Sequence, residues 1–141
     1  LTRAANSVLD HTNRTITNGG LTSSQFGVLE ALYHLGTLSQ IDVARKLLLS
    51  TANITIVLQN LEKTGLVQRE RDAADQRRVL VSITDAGRAL VAEILPAHVA
   101  MITRVMSALT PAEQDTLAAL CKKLGTGASS SESPPAGKRE G

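Results

Sequence analysis

Apolar residues recur along this chain with two different periods, and the change of period marks out its elements. Residues 1–18 set Ala4, Ala5, Val8, Leu9 and Ile16 among polar positions, a fragment of a helical stripe that Asn18-Gly19-Gly20 ends. Thr22 and Gln25 form a capping box. Phe26, Leu29 and Tyr33 follow at helical spacing until Gly36 stops the run. Ser39 caps a short helix holding Ile41, Val43, Ala44 and Leu47. Leu48 and Leu49 then lead straight to the next cap, Ser50, and to a helix with Ile54, Val57, Leu58 and Leu61 on one face, ending near Thr64-Gly65. Two short helices joined so tightly must cross steeply, which is the helix-turn-helix arrangement. From Leu66 the period shortens. Leu66–Arg71 and Val79–Ile83 read as strands, and the polar stretch 72–77 between them makes a hairpin, the wing. Thr84 caps a long helix predicted over 84–107, apolar at Leu90, Val91, Ile94, Leu95, Met101, Ile102 and Val105, with a kink expected at Pro96. Thr110-Pro111-Ala112-Glu113 starts another, continued by Leu117, Leu120 and Leu124. Residues 125–141 carry no large apolar side chain and are expected to form a disordered tail.

This order predicts a mainly α fold with a small β-hairpin. A winged helix-turn-helix domain spans 21–87, and N- and C-terminal helices, 1–18 with 88–124, flank it. Their unpartnered apolar stripes suit a dimerisation region, so a homodimer is expected.

Composition narrows the function. The 141 residues are 43% hydrophobic, enough for a core. With Phe26 and Tyr33 as the aromatics, that core must be aliphatic, which suits packed helices. A net charge of +2 and a pI of about 9.0 are compatible with nucleic acid without demanding it. Cys121 stands alone, so no disulfide framework forms within the chain, and a reducing, cytoplasmic location is expected. No apolar run approaches the length of a membrane span, and no signal peptide is visible, so no membrane partner is expected. The sequence opens on Leu1 and not on Met, so the native N-terminus is expected to lie upstream. The chain has no glycine-rich phosphate loop, no paired-acid motif and no nucleophile–base signature. An enzyme is therefore not expected, nor a cofactor. His11, His34, His98 and Cys121 share no ligand spacing, so no metal site is expected. Cys121, beside Leu120, is expected to be a buried small side chain.

The stretch LLLSTANITIVLQNLEKTGLV (47–67), followed by Arg69, Asp72, Asp75, Arg77 and VLVSITDAG (79–87), resembles the MarR family of bacterial transcription regulators. LTSSQFGVL (21–29) and LSQIDVA (38–44) fit the same pattern, and the terminal helices match in placement. The resemblance implies a dimer with interlocking terminal helices, a recognition helix in the major groove and a wing reaching the minor groove. It implies release from DNA by a small anionic or phenolic effector, or by cysteine oxidation. The reading is a sequence-specific DNA-binding transcription regulator, a repressor released by a small molecule, acting on double-stranded DNA at a palindromic operator. The alternative is a winged-helix protein–protein interaction module without DNA binding.

Candidate contacts follow from helix geometry. If Ile54, Val57, Leu58 and Leu61 face the core, then Ala52, Ile56, Gln59 and Lys63 face outward, flanked by Thr51, Asn53, Thr55 and Asn60. Gln59 or Asn53 suits adenine, Ala52 and Ile56 suit thymine methyls, and Ser50 and Thr51 at the helix N-terminus suit phosphate. The sequence departs from the family at Thr51 and Ile56, where basic residues are common. Residues 50–61 carry no charge, so affinity must lean on the wing and flanks, and an A·T-rich site is expected. In the wing, Arg69, Arg71, Arg77 and Arg78 oppose Glu70, Asp72 and Asp75, which left to itself reads as a self-neutralising hairpin. The resemblance implies that Asp75 orients the Arg77 side chain into a narrow minor groove. It further suggests that Arg78 adds a phosphate contact, and that Ala73, in place of a common proline, loosens the tip. His11, Arg14, Tyr33, His34 and His98 are the candidates to border an effector pocket.

Overall fold

The computed structural model describes residues 1–131. Its contacts divide them into two units, Leu1–Thr103 and the stretch from Arg104 on. The elements run α1 (Thr2–Asn18), α2 (Ser23–Leu35), β1 (Leu38–Ser39), α3 (Gln40–Leu47), α4 (Thr51–Lys63), β2 (Val67–Arg71), β3 (Val79–Ile83), α5 (Asp85–Met106) and α6 (Pro111–Ser131).

In the first unit the side-chain caps set the helix starts. Thr22 Oγ1 accepts from the Gln25 N–H at 3.2 Å while Gln25 Oε1 accepts from the Thr22 N–H at 3.0 Å, a complete capping box. Ser39 and Ser50 cap α3 and α4 through the N–H groups of Asp42 and Asn53, both at 3.2 Å. Thr84 Oγ1 accepts from the Gly87 N–H at 3.1 Å.

The core is aliphatic around α2. Phe26, Val28, Leu29 and Leu32 from that helix meet Val43, Ile54, Leu58 and Leu61 from α3 and α4, Val67 and Val81 from the sheet, and Val91 and Ile94 from α5. The antiparallel sheet has the order β1-β3-β2, with Leu38 opposite Val81 and Arg71 opposite Val79. Strand β1 adds to the predicted hairpin. Two residues are too short for a period to show in sequence, and Ser39 serves both as strand end and as helix cap. Gly87 lies so close to the Leu66 carbonyl that a side chain would collide with it, so α5 can leave the sheet tightly only with glycine there. The turn between α3 and α4 closes through Leu48 in a left-handed conformation (φ 54°), with the Leu49 N–H donating to the Ala44 carbonyl at 3.0 Å.

Helix α5 stays unbroken through Pro96. It is long and apolar enough to cross a membrane, with 22 residues and a mean hydropathy of 1.5 over its best 18-residue window. The expectation that no apolar run approaches that length is corrected accordingly. Glu93, Pro96, His98 and Arg104 interrupt the apolar run, and the aliphatic residues between them keep its mean high. Val91, Ile94 and His98 from this helix are buried.

In the second unit, Thr110 and Glu113 form a capping box at the start of α6. Glu113 Oε2 accepts from the Thr110 N–H at 2.7 Å, which lowers the Glu113 pKa. Gln114 Nε2 donates to the carbonyls of Met106 and Leu109 at 3.0 and 3.1 Å. Two expectations change here. The disordered tail was expected from residue 125, but α6 continues to Ser131. Once a helix is nucleated, each added residue gains a backbone hydrogen bond and needs no core beneath it, and Thr126 Oγ1 donates back to the Lys122 and Lys123 carbonyls. The rest of that expected tail, 132–141, lies outside the described residues. Cys121 is exposed, not buried, because α6 buries none of its described side chains within this chain.

Candidate nucleic-acid interface

Helix α4 presents the expected face. Ile54, Leu58 and Leu61 are buried, and Ser50, Thr51, Ala52, Asn53, Ile56, Gln59, Asn60 and Lys63 are exposed. Ile56 is 56% exposed, so much of its sec-butyl side chain is available to an apolar surface outside the chain. Thr55 differs. It is half-buried; its hydroxyl donates to the Thr51 carbonyl at 2.8 Å and accepts from Gln40 Nε2 at 3.2 Å. Its hydroxyl therefore ties α3 to α4 instead of pointing into the open face.

The wing commits its charges unevenly. Arg69 Nη2 and Nε donate to Glu62 Oε2 at 2.6 and 3.1 Å, joining β2 to the end of α4. That hydrogen bond holds the Glu62 carboxyl below the usual carboxylate range. Arg71 Nη1 donates to the Gln76 carbonyl at 2.8 Å, and Arg78 Nη1 lies 3.7 Å from Asp72. Among the described residues the Arg77 guanidinium has no such partner. Asp75 does not hold it, contrary to expectation. Its carboxylate accepts from the Arg77 backbone N–H at 3.1 Å. A short acid two residues back closes its own turn before it can reach a long side chain. Asp72 does the same for the Ala74 N–H at 2.9 Å, and the Arg78 N–H donates to the Asp75 carbonyl at 2.9 Å. The acids thus shape the tip and leave Arg77 uncommitted.

Sequence reasoning missed a cleft of about 510 Å³ between α3, the start of α4 and the wing. Arg45, Thr51, Arg77 and Arg78 line it with apolar neighbours. The alternation of Gln40, Ile41, Ala44 and Arg45 along α3 is its sequence signal, but nothing there says that the wing lies opposite.

Of the five candidates for an effector pocket, Tyr33 and His34 meet each other, and His98 reaches α1 at Thr15, the helix that also carries His11 and Arg14. His98 is buried, with Nδ1 2.9 Å from Thr15 Oγ1 and its ring edge-on to Phe26 at 4.9 Å. Tyr33 meets His34 edge-on at 5.1 Å and lies under the Arg88 guanidinium at 5.4 Å. His11 and Arg14 are exposed on α1, with His11 Nδ1 2.7 Å from the Ser7 carbonyl. Among the described residues no three of His, Cys, Asp or Glu are placed to hold a metal ion.

Comparison with known proteins bears on this geometry. The MarR family model matches residues 19–78. YkoM of Bacillus subtilis, an uncharacterised HTH-type transcriptional regulator, is 39% identical over 87% of this chain and 80% of its own. Among solved structures, Bordetella bronchiseptica BpsR, whose DNA binding is regulated by 6-hydroxynicotinic acid, is 34% identical with a TM-score of 0.81, covering 89% of each chain. Streptomyces coelicolor Sco3205, a MarR family regulator solved with DNA, has a TM-score of 0.85 at 25% identity, over 89% of this chain and 81% of its own.

Proposed function

The chain belongs to the MarR family, and from that premise we infer that it is a sequence-specific DNA-binding transcription regulator. It acts as a homodimeric, cytoplasmic repressor on a palindromic operator and is released by a small anionic or phenolic compound. It has no catalytic role in this reading. The observation that carries the reading is the pairing of an open, neutral α4 face with one uncommitted wing arginine, Arg77. Helix α4 enters the major groove, where Gln59 and Asn53 offer amide pairs to adenine and Ile56 and Ala52 cover thymine methyls. Ser50 and Thr51 receive a phosphate at the helix N-terminus, Lys63 and Arg78 meet the backbone, and Arg77 enters the minor groove. Asp75 contributes indirectly, through the backbone of the tip.

Residues 21–87 form the DNA-binding domain in this reading, and 1–18 with 88–124 the dimerisation region. Large apolar side chains left in water support the second assignment: Leu9 on α1, Val99 and Ile102 on α5, and Leu117, Leu120 and Leu124 on α6. Burying such surface is the usual driving force for a second copy.

A mobility-shift titration of a promoter fragment at rising salt tests the reading. Affinity that falls linearly on logarithmic axes is the expected outcome. A protein that never shifts the fragment, yet stays folded and dimeric, would leave the interaction-module alternative standing.

A further inference from the structure

The geometry points to Gln40 as a residue that sets operator specificity without touching DNA, by positioning the recognition helix α4 through Thr55. The inference rests on the DNA-binding reading above and adds which residue outside α4 its selectivity depends on. Gln40 is the first residue of α3. The residues just before it are pinned to β3 of the wing: Thr37 Oγ1 lies 2.8 Å from Ser82 Oγ, Leu38 pairs with Val81, and Ser39 pairs with Leu80. Ser39 also caps α3, so the backbone is held on both sides of Gln40. From this anchor Gln40 Nε2 donates to Thr55 Oγ1 at 3.2 Å, and the same hydroxyl donates to the Thr51 carbonyl at 2.8 Å. Both side chains are half-buried. One side chain thus joins β3 to the middle of α4. Seven residues further along α4, roughly 10 Å or two turns, Glu62 takes Arg69 from β2.

Two ties at separate turns fix what one cannot. Ile54, Leu58 and Leu61 hold α4 against the core, but apolar burial has no direction and leaves a small rotation or slide cheap. A single polar tie would act as a pivot. With Gln40 at one point and Arg69 at another, α4 can neither turn nor tilt against the wing strands without breaking a bond. That precision matters because residues 50–61 carry no charge. Charge attraction fades slowly with distance and tolerates a displaced helix. The amides of Gln59 and Asn53 must instead meet a base edge along a hydrogen bond, which weakens steeply when bent. A slightly turned α4 keeps the contacts that the wing makes to the DNA backbone and loses those to the bases. Removing the Gln40 tie therefore lowers the preference for the operator and spares the attraction to DNA in general.

The test changes both ends of the bond in the full chain. The probes are the duplex that the wild type enriches most strongly from a random pool and a scrambled duplex of the same composition. Fluorescence anisotropy gives the preference, the scrambled Kd divided by the selected Kd. Gln40→Met and Thr55→Val keep the shape of each side chain and remove one partner. Either should lower the preference by about threefold to tenfold, the span that a neutral hydrogen bond controls. The Kd for the scrambled duplex and its salt slope should hold. The double variant should cost no more than either single one, because both remove the same bond. Thr55→Ser keeps the hydroxyl and should keep the preference. Effects that add in the double variant would mean that Gln40 meets DNA by itself, and the inference fails. It fails too if Thr55→Ser loses the preference. A melting temperature that falls in Gln40→Met with the preference intact marks a bond that only stabilises the fold, which also overturns it. So does a Kd that rises equally on both duplexes, which would put Gln40 at the phosphate backbone. A wild type that enriches no duplex overturns the DNA-binding reading and this inference with it, whereas a wild type and variants that discriminate equally overturn this inference alone.

Discussion

Arg77 differs from its neighbours in what it lacks. Arg69 is spent on Glu62, Arg71 on the Gln76 carbonyl and Arg78 on Asp72, while the Arg77 guanidinium has no partner among the described residues. Arg77→Ala should therefore lower operator affinity by about 1–3 kcal/mol in a mobility-shift titration, with little change in melting temperature. Unchanged binding would take the minor-groove role away from it. Arg69 predicts the reverse pattern, an effect on the fold that depends on pH. Its hydrogen bond lowers the Glu62 pKa below the ordinary 4.5. A lowered carboxylate adds stability that is present above the unfolded value and lost as pH falls through the folded one. The difference in melting temperature between the wild type and Arg69→Gln should thus be present at neutral pH and shrink as acidification protonates Glu62. Residue identity gave the wing its cations, but not their partners. Whether an acid meets a guanidinium or a backbone N–H depends on the turn it closes, as Asp75 shows.

At the scale of elements, the caps made the helices legible. Thr22, Ser39, Ser50, Thr84 and Thr110 each mark a start that the structure keeps, because a side-chain acceptor before an apolar run has few other uses. Strand β1 was not legible, since its two residues exist as a strand only by pairing with Val81 and Leu80 far along the chain. The cleft was hidden for a similar reason: Arg45 on α3 and Arg77 at the wing tip are 32 positions apart in the sequence and meet only in space. Two predictions belong here. Gly87→Ala must push α5 off the Leu66 carbonyl and should cost about 1–3 kcal/mol in a denaturant titration. Ile56→Lys should put a cation on the neutral face of α4. It should steepen the salt dependence of DNA binding by about one phosphate contact and erode the preference for the operator over random DNA.

For the whole molecule, the exposed leucines of α6 predict its state in solution. Leu120→Lys with Leu124→Lys should shift the protein from dimer to monomer in sedimentation velocity and weaken operator binding steeply, because one half-site then binds alone. A dimer that survives both changes would move the interface elsewhere. Retention on random DNA depends on cations at the phosphate backbone, and this chain has a net charge of +2 with none on residues 50–61. Little of the protein should be stored on the wrong stretches of a chromosome. Most copies would stay free to search, so occupancy of the operator would follow the number of molecules in the cell closely. A small change in expression, or a modest pulse of effector, would then be felt at the promoter at once. The neutral surface of α4 thus makes the circuit it serves quick to respond and sensitive to dose.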